Sequence, residues 1–222
     1  MTSLRNVILL SLLLAGGCVV GDHFTTLTIH PDGSADLLIF RANLHSTEKG
    51  EKGKQELADY KKNFKTQVED EYARIKDAGG EVTKVLWVRE QAPFSNVVRV
   101  HLATASTLEK FGTFQTDDGS LRTTATFRSE GSHRRLSIRV TMTSDKKQAI
   151  GPLPQDIKEL KQAQADALSE TRIAVVGGSI TAARGFVVAG DKQSAILDLA
   201  EIAEVIRGEA ESEFFLEWDV AP

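Results

Sequence analysis

A strict two-residue alternation in the middle of the chain constrains the fold more than any other feature. Leu136, Ile138, Val140 and Met142 are apolar, and Ser137, Arg139 and Thr141 between them are polar. Successive side chains of a strand point to opposite sides, so this run is a strand with one face on a core and the other in water. The same period holds upstream in Leu121, Thr123, Ala125 and Phe127, and Ser129-Glu130-Gly131-Ser132 between the runs supplies a turn. The two runs therefore read as an antiparallel hairpin.

Other segments repeat this pattern. Thr25-Thr26-Leu27-Thr28-Ile29 and Leu37-Leu38-Ile39-Phe40 flank His30-Pro31-Asp32-Gly33, an Asp-Gly turn between apolar runs. Residues 82–88 and 97–102 pair around a loop containing Pro93, and 113–116 is a short extended piece after a helical turn around Leu108. Residues 172–176 are extended, Phe186-Val187-Val188 and Ala195-Ile196-Leu197 form a hairpin around Gly190-Asp191, and 214–220 is a last strand.

Two stretches have helical spacing instead. Leu57, Tyr60, Phe64, Val68, Tyr72 and Ile75 recur every three or four residues, with Gly79-Gly80 as the stop and the polar residues 46–54 as a solvated loop before them. A second helix is predicted from Asp156 to about Leu168, after the Gly/Pro-bearing connector 146–154, and residues 199–206 read as a short helix. Strands in runs with two main helices predict an α+β fold, a largely antiparallel β-sheet covered on one face by those helices. With 222 residues, 41% of them hydrophobic and 26% charged, the chain buries a real core.

The amino terminus differs from all of this. One cation, Arg5, precedes an apolar run over residues 7–15 broken by Ser11 alone, and Ala15-Gly16-Gly17-Cys18 follows. A spanning helix needs roughly 20 apolar residues, so the run suits recognition by export machinery better than permanent anchoring. Cys18 is the only cysteine, which excludes an intramolecular disulfide. Small residues before a cysteine resemble the lipobox of bacterial prolipoproteins. The usual leucine three places before the cysteine is here Ala15, with Leu14 one place earlier. The resemblance implies cleavage before Cys18, diacylglycerol on its sulfur, and a membrane anchor of two or three acyl chains, where two already suffice for stable attachment. It divides the chain into a signal peptide (1–17), a lipid-anchored tether (18–23) and an extracytoplasmic domain (24–222). Val19 follows the cysteine instead of the aspartate that favours inner-membrane retention, so an outer-membrane destination is permitted.

Chemistry-bearing patterns are few. Net charge is −4, and loss of Arg5 with the leader makes it about −5, which disfavours a nucleic-acid partner. Gly177-Gly178 lacks both the dinucleotide fingerprint and the P-loop ending, and reads as a plain turn. His23, His30, His45, His101 and His133 lie in separate segments without metal-ligand spacing, so no metal site and no cofactor are expected. Ser179 has no local activating partner, and no catalytic residue is assigned. His133-Arg134-Arg135, with Arg128 and Arg139, is read as a solvated strand end in preference to an anion-binding patch, and Glu209, Glu211 and Glu213 as protection of a sheet edge. The stripe Tyr60, Phe64 and Tyr72 on the first helix is either core or the lining of an apolar pocket between helix and sheet, core being favoured.

Leu27-Thr28-Ile29, Asp32-Gly33, Gly177-Gly178 and the hairpin from Phe186 to Leu199 resemble, in order and placement, the LppM-type domain of mycobacterial lipoproteins. That resemblance implies an α+β envelope domain associated with lipid binding and brings no catalytic residues. Three functions compete: first a non-enzymatic envelope lipoprotein holding a lipid-like ligand between helix and sheet, second an interaction or scaffold module with a closed core whose partner is another envelope protein, and third an enzyme, which requires Glu, His and Ser side chains gathered in one cleft.

Overall fold

The computed structural model describes residues 19–46, 48–71, 73–77, 79–111, 114–115, 121–142, 169–198, 201–202 and 211–220. Cys18, the leader and Tyr72's side chain lie outside them, as does the second predicted helix. The elements in chain order begin with β1 (Val19–Ile29), β2 (Ala35–Ser46), α1 (Gly50–Glu71), α2 (Ala73–Asp77), β3 (Gly80–Arg89) and β4 (Phe94–Leu102). A single 3-10 turn (Ala105–Thr107) leads to α3 (Leu108–Phe111), β5 (Phe114–Gln115), β6 (Leu121–Glu130) and β7 (His133–Met142). The rest is β8 (Ser169–Val175), β9 (Gly178–Arg184), β10 (Phe186–Val188), β11 (Ser194–Leu197) and β12 (Glu211–Val220).

Every hairpin expected from local alternation forms. β1 pairs with β2, β3 with β4, β6 with β7 and β10 with β11, all antiparallel. The single-layer arrangement does not. The strands divide into a seven-stranded sheet, ordered β10-β11-β8-β1-β2-β4-β3, and a five-stranded sheet, ordered β5-β6-β7-β12-β9. One pairing, β1 with β8, is parallel. The buried faces of both sheets feed one hydrophobic core, in which Leu27, Leu37 and Val98 of the larger sheet join Leu136, Leu216 and Trp218 of the smaller. Of the two helices expected to cover a sheet face, α1 is described, and it contributes Phe64 and Val68 to that core. The fold is thus mixed and mostly strand, with a second sheet supplying much of the cover assigned to helices.

Two local readings change. Of residues 46–54, expected as a loop, Ser46 ends β2 and residues 50–54 open α1. Glu48 with Lys52 and Glu51 with Lys54 form ion pairs four and three residues apart, so side chains that look solvated support the first helical turn. Residues 19–23, expected as a tether, are strand, with Val19 opposite Ser46 and Val20 opposite His45. Glu211 and Glu213 pair with β7, and β9 joins β12 only from Phe215 onward, so among the described residues no strand is in register on their other side.

The strand after Gly177-Gly178 was not foreseen. β8 belongs to the larger sheet and β9 to the smaller, so the chain changes sheet across this turn. Gly177 has φ +63, a conformation that side chains disfavour, and a Cβ on Gly178 would lie 2.8 Å from Trp218 Cδ1. The two glycines let the chain cross closely over the core, which is the plain-turn reading with a structural purpose.

Candidate functional site beneath the long helix

At one end of the larger sheet, four strands place His23, Arg41, Asn96 and Trp87 in a single register row. His23 is opposite Arg41, Arg41 opposite Asn96, and Asn96 opposite Trp87. Parity puts Arg41 and Asn96 on the core side, with Leu37, Ile39, Val98 and Val100. Both are sealed from solvent, Arg41 at 1% exposure and Asn96 at 0%. Helix α1 lies over this row because Tyr60, Phe64 and Val68 share one of its faces.

The helix brings rings onto the row. Phe64 and Trp87 have centroids 4.9 Å apart, Tyr60 meets Trp87 edge to face at 6.1 Å, and Trp87 meets Phe94 at 6.1 Å. Tyr60, Trp87 and Phe94 are half-buried and form the rim, whereas Phe64 is fully inside. The polar floor converges on one oxygen. Arg41 Nη1 donates to the Tyr60 hydroxyl at 3.3 Å and Asn96 Nδ2 to the same oxygen at 3.5 Å. Asn96 Oδ1 finds no hydrogen-bond donor among the described residues, a costly state for a buried acceptor. Lys61 clasps the helix to the β3–β4 loop by its ion pair with Glu90, and its ammonium lies 5.8 Å from the Phe94 ring centroid.

Electrostatics at the row are set by burial. Desolvation, followed by the positive Arg41 nearby, lowers the pKa of His23 to about 4, with Asp22 opposing. His23 is therefore neutral at physiological pH. The region offers aromatic surface and hydrogen-bonding groups, and no nucleophile stands beside a base within it.

Of the residues singled out from sequence, Tyr60 and Phe64 meet here, while Tyr72's side chain and Cys18 are outside the described residues. Arg41, Asn96, Trp87 and His23 were missed. The parity of β2 carried a signal for one of them, since Arg41 continues the inward series Ala35, Leu37, Ile39. The remaining three gather only once four strands are in register.

Elsewhere, Asp36 collects three partners from two segments, the β1–β2 turn and β4. Arg99 Nη2 lies 2.8 Å, His101 Nδ1 3.1 Å and His30 Nε2 3.2 Å from its carboxylate oxygens. Burial works against the charge on Asp36, but these hydrogen bonds outweigh it and hold its pKa at about 2. No cluster of three or more His, Cys, Asp or Glu suited to a metal ion occurs among the described residues. The arginines near the β6–β7 turn are engaged: Arg135 binds Glu217 and Glu213 and lies 4.2 Å from the Phe215 ring centroid, while Arg139 binds Glu211 at 3.3 Å. These contacts join β7 to β12 across the outer face of the smaller sheet. Ser179 is exposed on β9. Among the described residues no helix is long and apolar enough to cross a membrane.

No family model matches the chain, and no curated protein matches it. Among solved structures, the chain is similar to the folded domain of LppM from Mycobacterium tuberculosis, at 14% identity over 93% of this chain and 92% of that one, with a TM-score of 0.38. The μ homology domain of Fcho1 from Danio rerio, solved with a bound Eps15 peptide, follows at 9% identity over 94% and 82%, with a TM-score of 0.23. At these scores neither likeness bears on function.

Proposed function

We propose that the chain is a non-enzymatic bacterial envelope lipoprotein, anchored through lipid on Cys18, whose extracytoplasmic domain holds a lipid-like or other apolar ligand between α1 and the larger sheet. The observation that carries the ligand reading is the aromatic rim of Tyr60, Trp87 and Phe94 over a floor where the buried Asn96 Oδ1 finds no donor among the described residues. An amphipathic ligand places chain against the rings and a hydroxyl or amide against that oxygen. The anchor reading rests on the apolar run and Ala15-Gly16-Gly17-Cys18.

Mass spectrometry of the full protein, extracted from membranes under mild conditions, tests both parts. Denatured protein should begin at Cys18 and carry the mass of its acyl chains. The native ion should be heavier by a further lipid that denaturation releases. Equal native and denatured masses overturn the ligand, and an unacylated chain still starting at Met1 overturns the anchor.

A second reading has its own support. Phe64 and Val68 are 2% and 0% exposed, so the helix–sheet layer is filled at its centre. A closed interaction or scaffold module gives an empty native ion, and cross-linking in intact cells then recovers one defined envelope protein.

A further inference from the structure

The outer face of the larger sheet carries one apolar row among polar ones. Phe24, Phe40, Val97 and Leu86 stand opposite one another across β1, β2, β4 and β3, on the side facing away from Leu27, Leu37 and Val98. Phe24 and Phe40 stack at 6.1 Å with planes 26° apart. The adjacent row runs Arg172, Thr26, Leu38, Arg99, Lys84 in register. Within it Leu38 is 41% exposed and extends the apolar patch of the two phenylalanines. Arg172 and Arg99 each hold one carboxylate, Glu170 and Asp36, and keep about half of their side-chain surface in solvent.

The position of this face relative to the amino terminus points to its occupant. β1 is paired from Val19 onward, so no slack separates the sheet from Cys18 and the apolar run before it. Phe24 is six residues beyond Cys18, and an extended chain covers that in roughly 20 Å. A membrane that holds the amino terminus is within reach of the aromatic row. Glu170 stands opposite Phe24 and pairs with Arg172, and Asp36 pairs with Arg99, so the apolar row has a border of both signs, the order of groups that a bilayer of zwitterionic and anionic headgroups over hydrocarbon accepts.

We propose that the outer face of β1, β2, β4 and β3 rests on the bilayer, with Phe24, Phe40, Val97 and Leu86 entering the headgroup boundary. This rests on the membrane-anchored reading above, and it goes further by fixing which side of the domain meets lipid. The smaller sheet then faces away from the membrane.

The test uses the full, acylated protein in vesicles of phosphatidylethanolamine and phosphatidylglycerol. Cys18 is blocked by its thioether, so Leu38→Cys and, on the outer face of the smaller sheet, Arg122→Cys each offer one thiol for an environment-sensitive fluorophore. The Leu38 label should emit to the blue of the Arg122 label and be quenched by nitroxides on the acyl chains, while the Arg122 label stays unquenched. Protein that floats with vesicles but gives identical, unquenched labels overturns the docking and leaves the anchor standing. Protein that fails to float overturns both. A Leu38 label that shifts to the blue without lipid quenching shows the face buried against protein, which also overturns the proposal.

Discussion

Neutralising the ionisation of His23 tests the buried row directly. In the unfolded chain its imidazole takes a proton near pH 6.5, whereas in the folded protein it resists until about pH 4. Between those values the unfolded state binds more protons, so stability falls as pH falls across that window and is fully present above it. A shift of about 2.5 units at about 1.36 kcal/mol per unit sets a ceiling near 3.4 kcal/mol. His23 is only half-buried, and solvent screening reduces the expected loss to on the order of 1–2 kcal/mol. Urea unfolding of the native sequence and of His23→Gln, repeated from pH 7.5 to 4.5, isolates this term because every other titrating group is common to both. The gap between the two curves should change by that amount toward acid, in favour of the glutamine variant. Parallel stability profiles, or an NMR titration placing His23 near 6.5, would refute the claim that burial beside Arg41 keeps the ring neutral.

Asp36, whose pKa is held at about 2, behaves differently: its contribution is present above the ordinary value of 3.8 and is lost as pH drops toward 2. Asp36→Asn should cost about 1 kcal/mol at neutral pH, the scale of an exposed ion pair, and nothing near pH 2, as read by denaturant midpoints. Trp218→Ala removes a side chain 1% exposed and 6.0 Å from Phe127, and should lower stability by about 3–5 kcal/mol in urea unfolding. Gly185→Ala meets two obstacles, a φ of +76 and a new methyl 2.6 Å from Phe214 Cδ1. It should cost about 1–3 kcal/mol, and a thermal midpoint equal to the native one would count against the close approach. Phe64→Asp is a poor probe of ligand binding, because a charge at a site 2% exposed should unfold the domain before it expels anything, which circular dichroism would show.

Local chemistry made the hairpins legible. The alternation from Leu136 to Met142 and the Asp32-Gly33 and Gly131 turns act within a dozen residues, the spacing from Leu57 to Ile75 within about five helical turns, and they produce β7, two hairpins and the helices α1 and α2. The division into two sheets lay beyond that range. β8 finds β1 in parallel across about 140 residues of chain, and β12 inserts between β7 and β9, through pairings that no turn encodes. Side-chain gatherings follow the same divide. His30, Asp36 and His101 look unrelated in sequence until β1, β2 and β4 align, and Arg41, Asn96 and Trp87 meet for the same reason. What the order of residues determined alone was the four hairpins, the helical stripe bearing Tyr60 and Phe64, and the apolar run that precedes Cys18. Tertiary structure decided which strands neighbour each other, and hence which polar groups are buried together, because register between distant strands is chosen by the packing of whole faces and not by any short segment.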